Sequence, residues 1–392
     1  MINKRVIVLN GVAVVLSLAL TACSGSKVVK DAPAVLLDIN SELSSRAGWS
    51  ASFDVQDDRH AQAQRPLIVG ETIYVADASG LVQALSADKG KTHWSVETEL
   101  RLSSSLGGGD DKLLLVGGHD GEVLAISKQD GALKWRSQVS SEVLAAPTLV
   151  GNVVVVRSID GKLAGLDLEN GQRLWVYESS VPALTLHGIG QAVGYRNQVM
   201  AGFSDGKVVA LSVQDGRVLW QAAIAVPQGR SELERLVDVD ATPVIKNGVL
   251  YSAAFQGRLV ALDVNTGNLL WSREMSVYES LAVDDVAVYV TDDKSSVWAF
   301  DLRSGTPLWK QLGLFARDVS APVLHQGYLA VGDFDGYIHW LRLDDGEFIS
   351  RSRPFSSKER VVLLQPDASG ALYALSVKGK LKKLRVEKIA KK

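Results

Sequence analysis

The chain has 392 residues, 46% hydrophobic and 22% charged, with 35 Gly and 10 Pro, which is too apolar and too evenly charged for a disordered protein. Its 42 basic and 44 acidic side chains give a formal charge of −2; the basic excess of a general nucleic-acid binder is absent, and no nucleic-acid partner is expected. One Cys excludes a disulfide framework, a cysteine zinc cluster and an internal redox pair, and six scattered His leave little for a metal site.

At the N-terminus, Lys4 and Arg5 precede an apolar run from Val6 to Leu20. The run is shorter than the roughly 20 residues that cross a bilayer as a helix, and its charged start marks a secretory signal over residues 1–22. Leu20-Thr21-Ala22-Cys23 resembles the bacterial lipobox. That resemblance implies cleavage before Cys23, a diacylglyceryl group on its thiol and an acylated (palmitate-type) amine. Several acyl chains anchor stably, because each buried methylene adds about 0.8 kcal/mol. Ser24 follows where Asp would retain the chain at the inner membrane, so the implied address is the periplasmic face of the outer membrane. Residues 23–45 show no period of 2 or 3.6 and read as a lipidated tether.

From residue 46 onward one unit recurs. In Asp205-Gly206-Lys207-Val208-Val209-Ala210-Leu211-Ser212-Val213-Gln214-Asp215-Gly216-Arg217-Val218-Leu219-Trp220, two Gly turns bracket a short apolar strand and a Trp follows. The first Gly recurs at Gly80, Gly121, Gly161, Gly257, Gly336 and Gly379, with Ser296 in the gap. The second recurs at Gly90, Gly131, Gly171, Gly267, Gly305 and Gly346. The Trp recurs at Trp94, Trp135, Trp175, Trp271 and Trp309, with Ser350 in the seventh place. Asp-Gly turns supply the positive φ of two-residue hairpins, and the apolar runs between them are too short for helices. Pro147, Pro243 and Pro322 open smaller strands, where a missing N–H costs no ladder bond. Four antiparallel strands in about 41 residues make one propeller blade. The eighth unit ends before an outer strand, while Trp49 stands unmatched at the N-terminus. The expected fold is therefore all-β: an eight-bladed propeller over 46–392, its last blade completed by an N-terminal strand. Seven blades plus a loose strand is the alternative. Each repeated Trp is expected to pack between blades.

Catalytic signals are absent. Asp110-Asp111, Asp284-Asp285, Asp292-Asp293 and Asp344-Asp345 lie in or beside expected turns, where Asp bonds the nearby backbone, and adjacent residues point apart. The six His show no metal-ligand spacing, and Gly107-Gly108-Gly109 precedes a strand, not a helix. The Trp-bearing repeats, such as Ala84-Leu85-Ser86-Ala87-Asp88-Lys89-Gly90-Lys91-Thr92-His93-Trp94, resemble those of the quinoprotein (PQQ) dehydrogenases. Those enzymes use an adjacent Cys pair and an Asp beside calcium; with Cys23 the sole Cys, the pair is missing. The expectation is no enzyme, no cofactor and no metal. A quinone-dependent dehydrogenase or a small-ligand binder using the central channel is the alternative.

Two intervals are long: Trp175 to Trp220 spans 45 residues and Trp220 to Trp271 spans 51. The extra length falls in connections between blades, on one face of the ring, where insertions in repeat proteins mark binding surfaces. Leu184 and Leu186 share a direction if extended, as do Asp238 and Asp240, so an apolar pair rimmed by acids is one reading. Core leucines and turn-capping acids is the other. The lipobox, the eight blades, Pro182-Ala183-Leu184-Thr185-Leu186 and Glu234-Arg235-Leu236-Val237-Asp238-Val239-Asp240 together resemble the BamB family, propeller lipoproteins of the outer-membrane β-barrel assembly machinery. The resemblance implies a non-catalytic scaffold in the Bam complex, binding the periplasmic POTRA domains of BamA through Leu184, Leu186, His187, Asp238 and Asp240. His187 stands where the family has Arg, and an unperturbed His is mostly neutral near pH 7. Direct contact with unfolded outer-membrane protein clients is a second implied role that the residues neither support nor exclude. A propeller serving another envelope complex also remains open. The basic run from Lys378 through Arg385 to Lys391-Lys392 has two readings: a contact with anionic lipid or lipopolysaccharide, or, over Gly379–Arg385, a last strand with solvated lysines.

Overall fold

The computed structural model describes residues 31–55, 65–108, 112–182, 184–185 and 190–389; Cys23, Leu186 and His187 lie outside them. The folded unit begins at Pro33. Its strands form eight antiparallel four-stranded sheets. Blades 1 to 7 span 67–97, 107–138, 148–178, 193–223, 244–275, 282–311 and 323–352, and blade 8 spans 361–388 together with Leu43–Ser52. The N-terminal strand pairs antiparallel with Lys380–Lys388 from Leu43↔Lys388 to Ser52↔Lys380. The expected eight-bladed ring and its clasp are both present. The clasp covers what would otherwise be an open edge of blade 8.

Each blade is built from short β-branched and aliphatic runs buried on both faces. Val153–Arg157, Ala287–Thr291 and Tyr328–Gly332 are examples, almost wholly buried. Side chains of neighbouring blades interdigitate into one core cluster after another around the ring, as when Met200 and Trp220 of blade 4 pack with Leu250 and Val260 of blade 5. In blades 1 to 7 the innermost strands are the shortest. Blade 2 contributes only Gly107–Gly108 there, and a Cβ at Gly107 would collide with the Pro147 carbonyl at the start of blade 3.

The repeated Trp does what its spacing suggests, with a geometry the spacing did not reveal. In blades 1 to 6 it faces a small residue across the sheet: Ala84↔Trp94, Ala125↔Trp135, Gly165↔Trp175, Ala210↔Trp220, Ala261↔Trp271 and Ala299↔Trp309. A bulge beside each pair turns the ring toward the next blade. There the indole lies on the glycine of the third-to-fourth-strand turn: Trp220 on Gly267, Trp271 on Gly305, and Trp49 of the clasp on Gly90. Those glycines hold φ near +70° (+65° at Gly90, +71° at Gly267), and an added Cβ would come within 2.5–2.6 Å of the ring. The indole N–H then donates to a carbonyl of the same turn, as from Trp220 to Val264 O (3.1 Å) and from Trp49 to Ala87 O (3.0 Å).

Three sequence expectations change. The left-handed position in blade 6 is Ser295 (φ 66°), not Ser296. Ser350 is no degenerate Trp site: in blade 7 the pair is reversed to Trp340↔Ser350, with Trp340 fully buried. The lysines of the last strand are not simply solvated. The clasp makes that strand internal, Lys383 is buried with its ammonium donating to Ala87 O (2.8 Å), and Lys382 donates to Pro354 O (2.6 Å).

Candidate partner-binding face

Antiparallel order within a blade puts the second-to-third-strand turns and the connections into the next blade on one face of the ring. We call this the connection face. The long connections from blade 3 to 4 and from blade 4 to 5 both lie on it, and their bases are joined. Gln191 N–H donates to Thr242 Oγ1 (3.0 Å), and Arg157 Nη1 donates to Gly190 O (3.0 Å). A side chain at Gly190 would meet the Asp240 carbonyl.

Of the residues singled out in sequence, Leu184 is exposed (45%). Asp238 and Asp240 are not an acidic rim: they are 0% and 7% exposed. The strand-like stretch that carries them folds back into the ring. Phe255 N–H donates to Asp238 O (2.8 Å), and Val237 and Val239 pack into the cluster between blades 4 and 5. Alternation correctly put the two carboxylates on one side, but that side is covered. Burial and the neighbouring Asp238 carboxylate push Asp240 well above the usual carboxylate range, against the pull of Arg157. The two acids therefore form a buried pair beneath the loop.

Sequence reasoning missed other exposed apolar residues on the two connections: Val181 on the first, Val226 and Leu233 on the second. Leu233 rides on a short turn held by a capping box. Glu234 accepts from the Arg230 and Ser231 N–H groups (2.7 and 3.1 Å), while Ser231 Oγ accepts from Glu234 N–H (3.2 Å). The Ser-x-x-Glu spacing was the available signal. An apolar side chain held out by a fixed turn suits a protein surface.

The central channel offers a cavity of about 660 Å³. Leu67, Pro147, Leu149, Gln191 and Leu364 line it, and among the described residues Arg65 is its one charged lining residue. No carboxylate lines it among the described residues, and no cysteine other than Cys23 exists in the chain. The donor set does not fit a quinone–calcium centre. No group of three or more His, Cys, Asp or Glu suited to a metal occurs among the described residues.

The fold and its docked tryptophans define an eight-bladed propeller of PQQ-like repeats. A quinohemoprotein alcohol dehydrogenase from Comamonas testosteroni shares that fold, with a TM-score of 0.66 at 12% identity over 88% of this chain and 76% of that one. A closer structural match is BamB from Moraxella catarrhalis, with a TM-score of 0.79, 26% identity and coverage of 87% of this chain and all of that one. Residues 78–311 match the family model described as outer membrane protein assembly factor BamB. The protein of that name from Bordetella pertussis is 36% identical over 344 residues, 86% of this chain and 88% of its own. The chain belongs to the BamB family. Its relatives are named as assembly factors and not as enzymes.

Proposed function

We propose that this protein is a non-catalytic scaffold of the outer-membrane β-barrel assembly machinery, held at the periplasmic face of the outer membrane by acyl chains on Cys23 and binding the POTRA domains of BamA. The observation that carries the binding surface is the set of exposed apolar side chains, Val181, Leu184, Val226 and Leu233, on the two lengthened and mutually bonded connections of one face. Leu184 and, from sequence, Leu186 and His187 would contact the partner. Asp238 and Asp240, being buried, would act as positioning residues that fix the loop base with Arg157. Unfolded outer-membrane protein clients are a second proposed partner class.

Affinity capture of the tagged lipoprotein from solubilised outer membranes tests this reading. Wild type is expected to bring down BamA, and a folded Leu184→Asp variant to lose it. Retention by the variant would move the binding face elsewhere. Absence of BamA from both, at native expression, would overturn the scaffold assignment.

A further inference from the structure

Residues 33–42 belong to the segment that sequence reads as a loose tether, yet they run as a strap along blade 7. Ala34 N–H donates to Phe315 O (2.9 Å), and Arg317 Nη1 donates to Ala34 O (3.1 Å). Lower down, Arg351 Nη1 donates to Leu37 O (3.0 Å), and Glu42 N–H donates to Ile349 O (2.8 Å). Both arginines are themselves fixed from below. Arg317 Nε donates to the fully buried Asp333 (2.8 Å), Arg351 Nε faces His339 Nδ1 (3.1 Å), and His339 Nε2 reaches Asp333 (3.1 Å). Phe315 lies in the connection from blade 6 to 7, so the strap starts on the connection face and crosses to the opposite one before the clasp returns.

The strap alternates. Leu36 turns inward onto the cluster between blades 6 and 7, while Val35 and Leu37 point out at 84% and 76% exposure. Leu312, 55% exposed, sits on the turn whose Phe315 carbonyl holds Ala34. Val35 and Leu312 thus lie where the N-terminal segment leaves the ring, with Leu37 two residues further along the same outward side of the strap. From Pro33 back to Cys23 is ten residue steps, a reach of at most about 35 Å. That linker reads Ser-Gly-Ser-Lys-Val-Val-Lys-Asp-Ala, with two lysines against one acid, a charge suited to anionic lipid.

We propose that the rim of Val35, Leu37 and Leu312 rests against the bilayer that holds the acyl chains, a proposal that depends on the lipid-anchor reading of Cys23. Three apolar side chains bind a membrane weakly on their own. A short tether makes the contact intramolecular, so a weak patch becomes occupied. The connection face, with its candidate partner site, is then set at a fixed attitude to the membrane instead of swinging freely.

The test uses full-length lipidated protein in phosphatidylethanolamine–phosphatidylglycerol vesicles carrying brominated acyl chains. Acylation consumes the Cys23 thiol, so a fluorophore on Leu312→Cys or on Leu219→Cys, near the opposite face of blade 4, is unique. Quenching at position 312 is expected to exceed that at 219 at least about twofold, and adding Val35→Asp with Leu37→Asp should bring it down to the level at 219. Equal quenching at the two sites, or quenching at 312 untouched by the aspartates, overturns the proposal. Flotation with the vesicles is scored separately. Protein that floats with an unquenched 312 probe sinks only the rim contact, whereas protein that fails to float removes the anchor and the contact together.

Discussion

At seven junctions of the ring a tryptophan on one outer strand lies on the glycine turn of the next blade, and at the junction of blades 7 and 8 it does not. Blade 8 takes its third strand from the C-terminal end and its fourth from the N-terminal segment. It therefore has no hairpin between them and no glycine turn to receive an indole. The chain answers by exchanging residues across the blade 7 sheet. The large side chain moves to Trp340, whose indole N–H donates to His325 Nδ1 (3.2 Å), and the outer strand keeps Ser350, whose hydroxyl donates to Leu43 O of the clasp (2.8 Å). The contrast teaches that the repeated Trp is specified by its receiving turn and not by its own strand. Where the turn is lost, the Trp is lost with it.

The sharpest way to break this arrangement is to remove the seam itself. Deleting residues 33–52 exposes the edge of the Lys380–Lys388 strand and should cost more than about 5 kcal/mol, the lower end of ordinary domain stability. The expected result is a loss of the single cooperative urea transition, with aggregation in sedimentation velocity.

A regular junction should be nearly as sensitive. Trp220→Ala removes a buried indole and its hydrogen bond and is expected to cost about 3–5 kcal/mol in urea unfolding. Gly267→Ala attacks the same junction from the other side and should cost about 2–3 kcal/mol. Gly248→Ala is its control: φ is also near +78°, but nothing lies within 4 Å of the new Cβ, so only the left-handed strain of about 1–2 kcal/mol applies.

At the seam the equivalent outer-strand position should matter less. Ser350→Ala removes one buried hydrogen bond, worth about 1 kcal/mol. A loss as large as that of Trp220→Ala would refute the idea that Trp340 has taken over the role.

The last expected effect lies under the candidate site. The carboxyl of Asp240 is raised in the folded chain, above an unfolded value near 3.9. Folding therefore favours its protonated form. That contribution is fully present below pH 4 and is lost as pH rises toward the raised value. Asp240→Asn has no proton to lose, so its stability relative to wild type should climb from pH 4 to pH 8. A flat difference across that range would mean that Asp240 is ionised in the folded state.

Much of the ring was legible because its signals are local. A left-handed Gly four residues before a Trp can be read within one blade, and an unmatched Trp49 points to the clasp. What was not legible depends on partners remote in sequence. The strap's apolar pattern shows no period in the sequence because its bonds run through backbone groups to Arg317 and Arg351, and the Arg317 contact spans 283 positions. Asp238 and Asp240 share a direction by alternation, but only the fold-back onto Phe255 and the blade 4–5 core decides that this direction is inward. The Trp340↔Ser350 exchange stood in the sequence as a Trp in a third strand. Its meaning required knowing which turn was missing.

The central functional claim is that the connection face at blades 3 to 5 binds the partner. Calorimetric titration of the purified periplasmic domains of BamA into wild type, Leu184→Asp and Leu219→Asp tests it most directly. Leu184 lies on that face, and Leu219, also exposed, lies near the opposite one. The account predicts that Leu184→Asp weakens binding by about tenfold or more while Leu219→Asp leaves it unchanged. Equal affinity for Leu184→Asp and wild type, or a loss confined to Leu219→Asp, would contradict it.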